Sequence, residues 1–230
     1  MTLDALGTLV ELDRPVPRLV AELRDRGIEA SEAQASAALG EEIAYYRAHH
    51  DLGADAASLE LLRVRCAEVL RVALQRAGVG VRGDPGAAAV RAALLAALRF
   101  RAFDDVPAAL AELRAAGHRL VVVSNWDVSL HDMLRTTGLD ALVDGAISSA
   151  EAGARKPTPA IFRQALALAA GGAGAGDGAL HAGDSLALDV AGALGAGMRA
   201  VLVARAVVPE GVPGGVPVVR SLAGLAALAA

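Results

Sequence analysis

Four short stretches of this 230-residue chain carry side chains that could act together on an electrophile. Asp4 stands just ahead of Gly7 and Thr8, so its carboxylate would meet the backbone N–H groups of a turn, a setting that suits a nucleophile. The plainer reading is a turn aspartate bonded to its own backbone. Ser124 closes the run 119–123, apolar from Leu120 on, and would present a hydroxyl, with the Asn125 carboxamide beside it, to a substrate anion. A cap on the following helix is the alternative. Lys156 lies between Arg155 and Pro157 ahead of a helix start, where a lysine is ordinarily solvated. Asp184 and Asp189 place two carboxylates across a strand-to-helix turn, as a hard divalent cation requires, although Asp184 could equally cap a helix.

Residues so far apart in sequence converge readily in one architecture, an open parallel α/β sheet, whose strands all end at one edge. Apolar periodicity supports it. Residues 1–3 form a strand stub, shorter than the usual five or six or so; either the strand is unusually short or native residues are missing before it. From 104 to 230 helices and strands alternate: helix 106–116, strand 119–123, helix 128–137, strand 146–148, helix 159–170, strand 180–182, helix 189–194 and strand 199–203. An Ala/Gly connection covers 169–178, and a loop at 209–217 precedes a last short helix. Between the first strand and this zone, 14–103 reads as helix after helix without a strand, at 15–26, 31–49, 58–77 and 85–98, the last starting behind Asp84. The expected fold is therefore a Rossmann-like, doubly wound α/β core (1–13 and 104–230) with an inserted all-helical unit (14–103).

Composition excludes several functions. With 22 Lys plus Arg against 26 Asp plus Glu, the net charge of −4 offers no basic field for nucleic acid, and 3% aromatic residues leave no base-stacking platform. The hydrophobic share of 54% is spread through the chain, with no apolar run near the roughly 18 residues a membrane span needs. There is no signal-peptide pattern at the amino terminus, and the single cysteine, Cys66, cannot form an internal disulfide. A soluble, cytoplasmic chain is expected, as a monomer or homodimer. Cys66 reads as a small buried apolar residue, and Trp126 as packing near the 124–127 loop. In the helical insert, Tyr45, Tyr46, Arg47, His49 and His50 form the densest polar-aromatic group. Arg47 is the candidate for meeting an anionic small-molecule substrate, and a solvated helix face is the alternative.

Together and in order, Asp4-x-x-Gly7-Thr8-Leu9, Val123-Ser124-Asn125, Arg155-Lys156-Pro157 and Gly183-Asp184-x-x-x-x-Asp189 resemble the four motifs of the haloacid dehalogenase-like (HAD) hydrolase superfamily. The helical insert matches the cap position of its subfamily I. The resemblance implies that Asp4 is the nucleophile, that Thr8 orients it, and that Ser124 and Asn125 bind substrate oxygens. It further implies that Lys156 neutralises charge. Asp4, Asp184 and the backbone carbonyl of Leu6 would hold Mg2+, with Asp189 supporting either the metal or the lysine.

One position departs from the pattern. Phosphatases of the superfamily usually carry a general acid two residues after the nucleophile, and here that residue is Leu6. Halide leaves without a proton, so Leu6 suits a metal-independent dehalogenase. The retained carboxylates argue the other way, because Asp4, Asp184 and Asp189 against Lys156 make −3 + 1 = −2, a charge that a divalent cation balances. The expectation is a Mg2+-dependent phosphatase-type enzyme, with a 2-haloacid dehalogenase or a catalytically weak binding module as alternatives.

Overall fold

Two residues make the central strand. In this computed structural model, which describes residues 1–170 and 178–229, β1 (Thr2–Leu3) pairs in parallel with β4 (Val121–Ser124) on one side and β6 (Leu180–Gly183) on the other. The sheet continues to β5 (Gly145–Ser148) beyond β4, and to β7 (Arg199–Val203) and then β8 (Val218–Val219) beyond β6. All pairs in the order β5-β4-β1-β6-β7-β8 are parallel. Helices α5 (Val106–Ala115), α6 (Leu130–Thr136), α7 (Ser149–Ala152), α8 (Pro159–Ala170), α9 (Ala191–Gly195) and α10 (Leu225–Ala229) alternate with these strands. Val121, Val122 and Val123 are fully buried, as expected where a parallel sheet is covered on both faces and its strands read as continuous apolar runs.

Several boundaries differ from the sequence expectation for local reasons. β4 starts at Val121 rather than 119 because the Leu120 N–H donates to the Asp144 carboxylate (2.8 Å), and it runs on to include Ser124. The helix expected at 128–137 starts at Leu130, after a turn in which the Ser129 N–H donates to the Asp127 carboxylate (2.7 Å). Helix α7 was not expected; it is held by a capping box between Ser148 and Glu151. The helix expected from 189 begins earlier, with a π-helical turn at Leu186–Val190 capped by Ser185, so Asp184 is not the cap. The expected 169–178 connection lies for the most part outside the described residues.

The chain divides into two compact units, Met1–Glu11 with Arg101–Ala230, and Leu12–Phe100. The second holds α1 (Pro15–Arg24), α2 (Glu32–His49), α3 (Ala56–Arg76) and α4 (Gly83–Ala97). Capping boxes start α2 at Ser31 and α3 at Asp55, the latter ahead of the expected start at 58; α4 starts at Gly83 rather than behind Asp84. Small aliphatic residues build its core, among them Leu19, Leu23, Leu70, Leu74 and Leu94, and Cys66 is buried in it. The expectation of a strand-free stretch over 14–103 is overturned by β3 (Phe100–Ala102), which pairs with β2 (Val10–Leu12). Only three residues long, with none of them buried, β3 is too short to show an alternating pattern. Among the described residues no helix is long and apolar enough to cross a membrane.

Candidate active site

The sheet order reverses direction at β1: the chain builds outward to β5 on one side and to β8 on the other. Loops diverge at such a switch point and leave a crevice at the carboxyl ends of the strands. Asp4 leaves β1 there, with its N–H still donating to Ala182 of β6 (2.9 Å). The loop then folds tightly, the Ala5 carbonyl accepting from Leu9 (2.8 Å) and Val10 (3.0 Å) while the Gly7 N–H donates to the Val10 carbonyl (2.8 Å). None of these bonds uses the Leu6 carbonyl. Gly7 has φ +83°, and a Cβ on it would lie 2.2 Å from Asp184 Oδ2, so only glycine fits between this turn and that carboxylate.

Lys156 is the hub. Its side chain is 2% exposed, and Nζ donates to Asp4 Oδ1 and to Asp189 Oδ1, each at 2.5 Å. Burial of an ammonium is tolerable only with such pairing. Ser124 Oγ donates to the same Asp4 oxygen (3.0 Å), and Thr8 Oγ1 donates to Asp4 Oδ2 (3.4 Å). Thus Ser124 does not cap a helix, Asp4 is not a self-bonded turn residue, and Lys156 is not on the surface.

Asn125 takes partners the sequence did not suggest. Its Oδ1 accepts from the Lys156 N–H (2.8 Å) and its Nδ2 donates to the Lys156 carbonyl (3.1 Å). The carboxamide clamps the lysine backbone. Asp189 is equally committed: Oδ1 accepts from Lys156 and from His181 Nε2 (3.0 Å), and Oδ2 from the Ser185 N–H (3.0 Å). Its carboxylate presses on β6 so closely that a Cβ on Gly183 would lie 2.2 Å from Asp189 Cγ.

Three carboxylates against one ammonium leave negative charge in excess. Burial opposes ionisation of Asp189, but Lys156 and His181 override it and hold its carboxyl below the ordinary range. Burial likewise opposes charge on Lys156, and Asp189 and Asp4 override it, keeping the ammonium protonated. With the lysine shared, Asp4 is raised, by burial first, against the pull of Lys156, and further by the Asp189 charge. Asp184 is exposed, yet partial desolvation of its carboxyl, then Asp4 and Asp189, push it up to about 7. One carboxylate oxygen from each of Asp4, Asp184 and Asp189 lies within 4.8 Å of the others. This hard-oxygen set fits a divalent cation such as Mg2+. Asp189 is held on both oxygens by contacts of 2.5–3.0 Å, whereas Asp4 Oδ2 has only the long contact from Thr8 at 3.4 Å and Asp184 is exposed, so Asp4 and Asp184 are the carboxylates best placed to hold it.

Arg47 belongs to the other compact unit, exposed on α2. Near it, Tyr45 and His49 stack at 4.1 Å, and the His49 ring nitrogen Nδ1 meets the Tyr45 carbonyl (2.8 Å), while His50 is buried with Nδ1 2.7 Å from Asp51. Trp126 is buried as expected, its indole donating to Ser129 (3.3 Å). Sequence reasoning missed Thr2, His181 and Ser185. A histidine inside the otherwise apolar β6 was the available signal.

These features define a hydrolase-type α/β core with a carboxylate and lysine centre. Residues 1–197 match the family model described as haloacid dehalogenase-like hydrolase, and the chain belongs to that family. It is 39% identical over 105 residues to haloacid dehalogenase-like hydrolase domain-containing protein 3 of Bos taurus, a match covering 46% of this chain and 41% of that protein. The chain thus spans about two fifths of this curated relative. Among solved structures, a dehalogenase with an intermediate complex superposes with a TM-score of 0.68 at 21% identity, covering 99% of this chain and 95% of that one. The HAD-hydrolase YfnB from Bacillus subtilis bound to magnesium superposes with a TM-score of 0.67 at 19% identity, covering 99% and 96%. Both likenesses concern the fold.

Proposed function

We propose that the protein is a Mg2+-dependent phosphatase-type hydrolase that acts on a small phosphorylated metabolite through an aspartyl-phosphate on Asp4. An Asp4 carboxylate oxygen attacks phosphorus, the bond from phosphorus to the leaving oxygen breaks, and that oxygen departs with the electron pair. Water then attacks the aspartyl-phosphate, releasing inorganic phosphate and regenerating the carboxylate. That the Ser124 hydroxyl and the Lys156 ammonium both donate to Asp4 Oδ1 supports this reading, in which they are the donors to the phosphoryl oxygens. Asp4, Asp184 and the Leu6 carbonyl would hold Mg2+, which when bound supplies positive charge that offsets the carboxylates and the transferring group.

The observation that carries this reading is Asp184 set against Asp4 while Lys156 is already shared with Asp189. A cation is what this arrangement lacks in charge. Leu6 cannot protonate a leaving alkoxide, so the reading confines useful turnover to activated substrates such as aryl and acyl phosphates.

Leu6 also favours a second reading, a 2-haloacid dehalogenase in which Asp4 attacks carbon and halide leaves unprotonated. One assay separates them. Phosphate release from p-nitrophenyl phosphate or acetyl phosphate that requires Mg2+ and is abolished by Asp4→Asn supports the phosphatase. Chloride release from 2-chloropropionate in the presence of EDTA supports the dehalogenase and overturns it. Mg2+ binding by calorimetry with neither activity would favour a binding module.

A further inference from the structure

We propose that His181 is a positioning residue that sets where the Lys156 ammonium stands relative to Asp4, acting through Asp189; the proposal rests on the reading of Asp4 and Lys156 given above. His181 is completely buried in the middle of β6. A buried imidazole is costly unless both ring nitrogens are hydrogen-bonded, and here both are. Nδ1 lies 2.9 Å from Thr2 Oγ1, and Nε2 lies 3.0 Å from Asp189 Oδ1. The first contact follows from the register, in which Thr2 of β1 stands directly beside His181 of β6.

An ionised Asp189 can only accept, so Nε2 carries a proton, while the Thr2 hydroxyl, able to donate or accept, closes the contact at Nδ1. Phe162 meets the ring edge-to-face at 5.1 Å and 86°, which holds its plane. Thr2, His181, Asp189, Lys156 and Asp4 thus form one line of contacts from the sheet interior to the nucleophile.

The consequence lies in Asp189 Oδ1, which receives both His181 and Lys156. Lys156 Nζ is held at 2.5 Å between this oxygen and Asp4 Oδ1, so its position depends on how the Asp189 carboxylate is fixed. The Ser185 N–H holds Oδ2 and His181 holds Oδ1. Without the imidazole, the carboxylate keeps one fixed oxygen and can rotate, carrying the lysine with it. Groups that orient a site residue in this way typically matter by about 10–100-fold in activity.

The test compares His181→Leu, which removes the donor, with His181→Gln, whose amide N–H reaches near the position of Nε2. The first readout needs no turnover: 15N NMR of the wild type should show a proton on His181 Nε2. The Lys156 Nζ resonance should move in His181→Leu and return in His181→Gln. The second readout is hydrolysis of p-nitrophenyl phosphate with Mg2+, with kcat expressed per folded molecule. His181→Leu is expected to lose about 10–100-fold in kcat with KM within about twofold, and His181→Gln to recover most of it. If His181→Leu does not fold, Thr2→Val, nearly unchanged in volume, should still perturb the His181 ring signals and the Lys156 signal. An unmoved Lys156 resonance in the folded variants, or equal kcat losses in the Leu and Gln variants, overturns the proposal. Wild-type protein without turnover but with the expected resonances would instead count against the proposed function.

Discussion

The Asn125 carboxamide closes two hydrogen bonds on the backbone of Lys156, accepting from its N–H at 2.8 Å and donating to its carbonyl at 3.1 Å. The loop after β4 therefore fixes the backbone from which the buried ammonium reaches Asp4. Asn125→Ala removes both bonds and should lower kcat by about 10–100-fold while costing about 1–3 kcal/mol in stability. Asn125→Asp keeps the acceptor, loses the donor, and should fall between. Steady-state kinetics with urea denaturation would check both; wild-type kinetics for the alanine variant would deny the clamp a role in activity.

On the proposed phosphatase reading, Leu6 takes the place of the general acid. Leu6→Asp should raise turnover of an alkyl phosphate by up to about 10²–10⁴-fold, the usual range for a positioned acid, with a much smaller effect on acyl phosphates. The measurement is kcat/KM for the two substrate classes with Mg2+ present. An equal gain on both would mean that Leu6→Asp acts by something other than proton transfer.

Gly7 and Gly183 leave room for the Asp184 and Asp189 carboxylates. Gly183→Ala would set a Cβ 2.2 Å from Asp189 Cγ and should destabilise the fold by about 1–3 kcal/mol through overpacking. In Gly7→Ala the positive φ and the 2.2 Å approach to Asp184 Oδ2 coincide, so Mg2+ affinity by calorimetry should fall together with stability. Preserved affinity would show that Asp184 is not a ligand.

In the helical unit, Glu42 is 3% exposed, and burial pushes its carboxyl from 4.5 up to about 7, against a hydrogen bond with Cys66. A raised folded-state value means that the unfolded chain ionises first as pH rises. The contribution to stability is full below about pH 4.5 and is lost as pH climbs through about 7. Its ceiling is about 3 kcal/mol, from roughly 1.4 kcal/mol per unit. Glu42→Gln should therefore be the more stable form at pH 8 and should flatten the change in Tm between pH 5 and pH 8. An unaltered pH dependence would show that other groups govern it.

Arg205 braces the loop after Asp4 from β7's side of the sheet. Its guanidinium donates to the Thr8 carbonyl (2.6 and 3.1 Å) and to Asp105 (2.9 Å), and it lies 3.7 Å over the Phe103 ring. Arg205→Ala should cost about 2–3 kcal/mol, as expected for charge-assisted bonds. Arg205→Lys should recover little, because a point charge cannot replace the planar fork. Denaturation midpoints of the two variants would decide.

Order and residue type made most of the core readable. Asp4, Ser124, Lys156 and Asp184 stand at or just beyond strand ends or at a helix start, and apolar runs such as 121–123 mark a buried parallel strand without knowledge of its neighbours. Short elements escaped, because a strand of three residues such as β3 or a helix of four such as α7 holds too few residues to reveal a period. The helix starts at Leu130 and Leu186 depended on side-chain bonds from Asp127 and Ser185 rather than on propensity.

The sequence by itself determined the chemical inventory: a carboxylate ahead of a Gly-Thr turn, a hydroxyl ending a strand, a lysine before a helix, an acidic pair after a strand, and no acid at position 6. Tertiary structure alone decided the partners. Which oxygen of Asp189 takes the lysine, that Asn125 grips a backbone, and that Thr2 meets His181 all depend on strand register and on the close approach allowed at Gly7 and Gly183. Periodicity reports which face a side chain occupies, whereas a hydrogen bond between residues far apart in sequence needs a distance that exists only once the sheet has assembled.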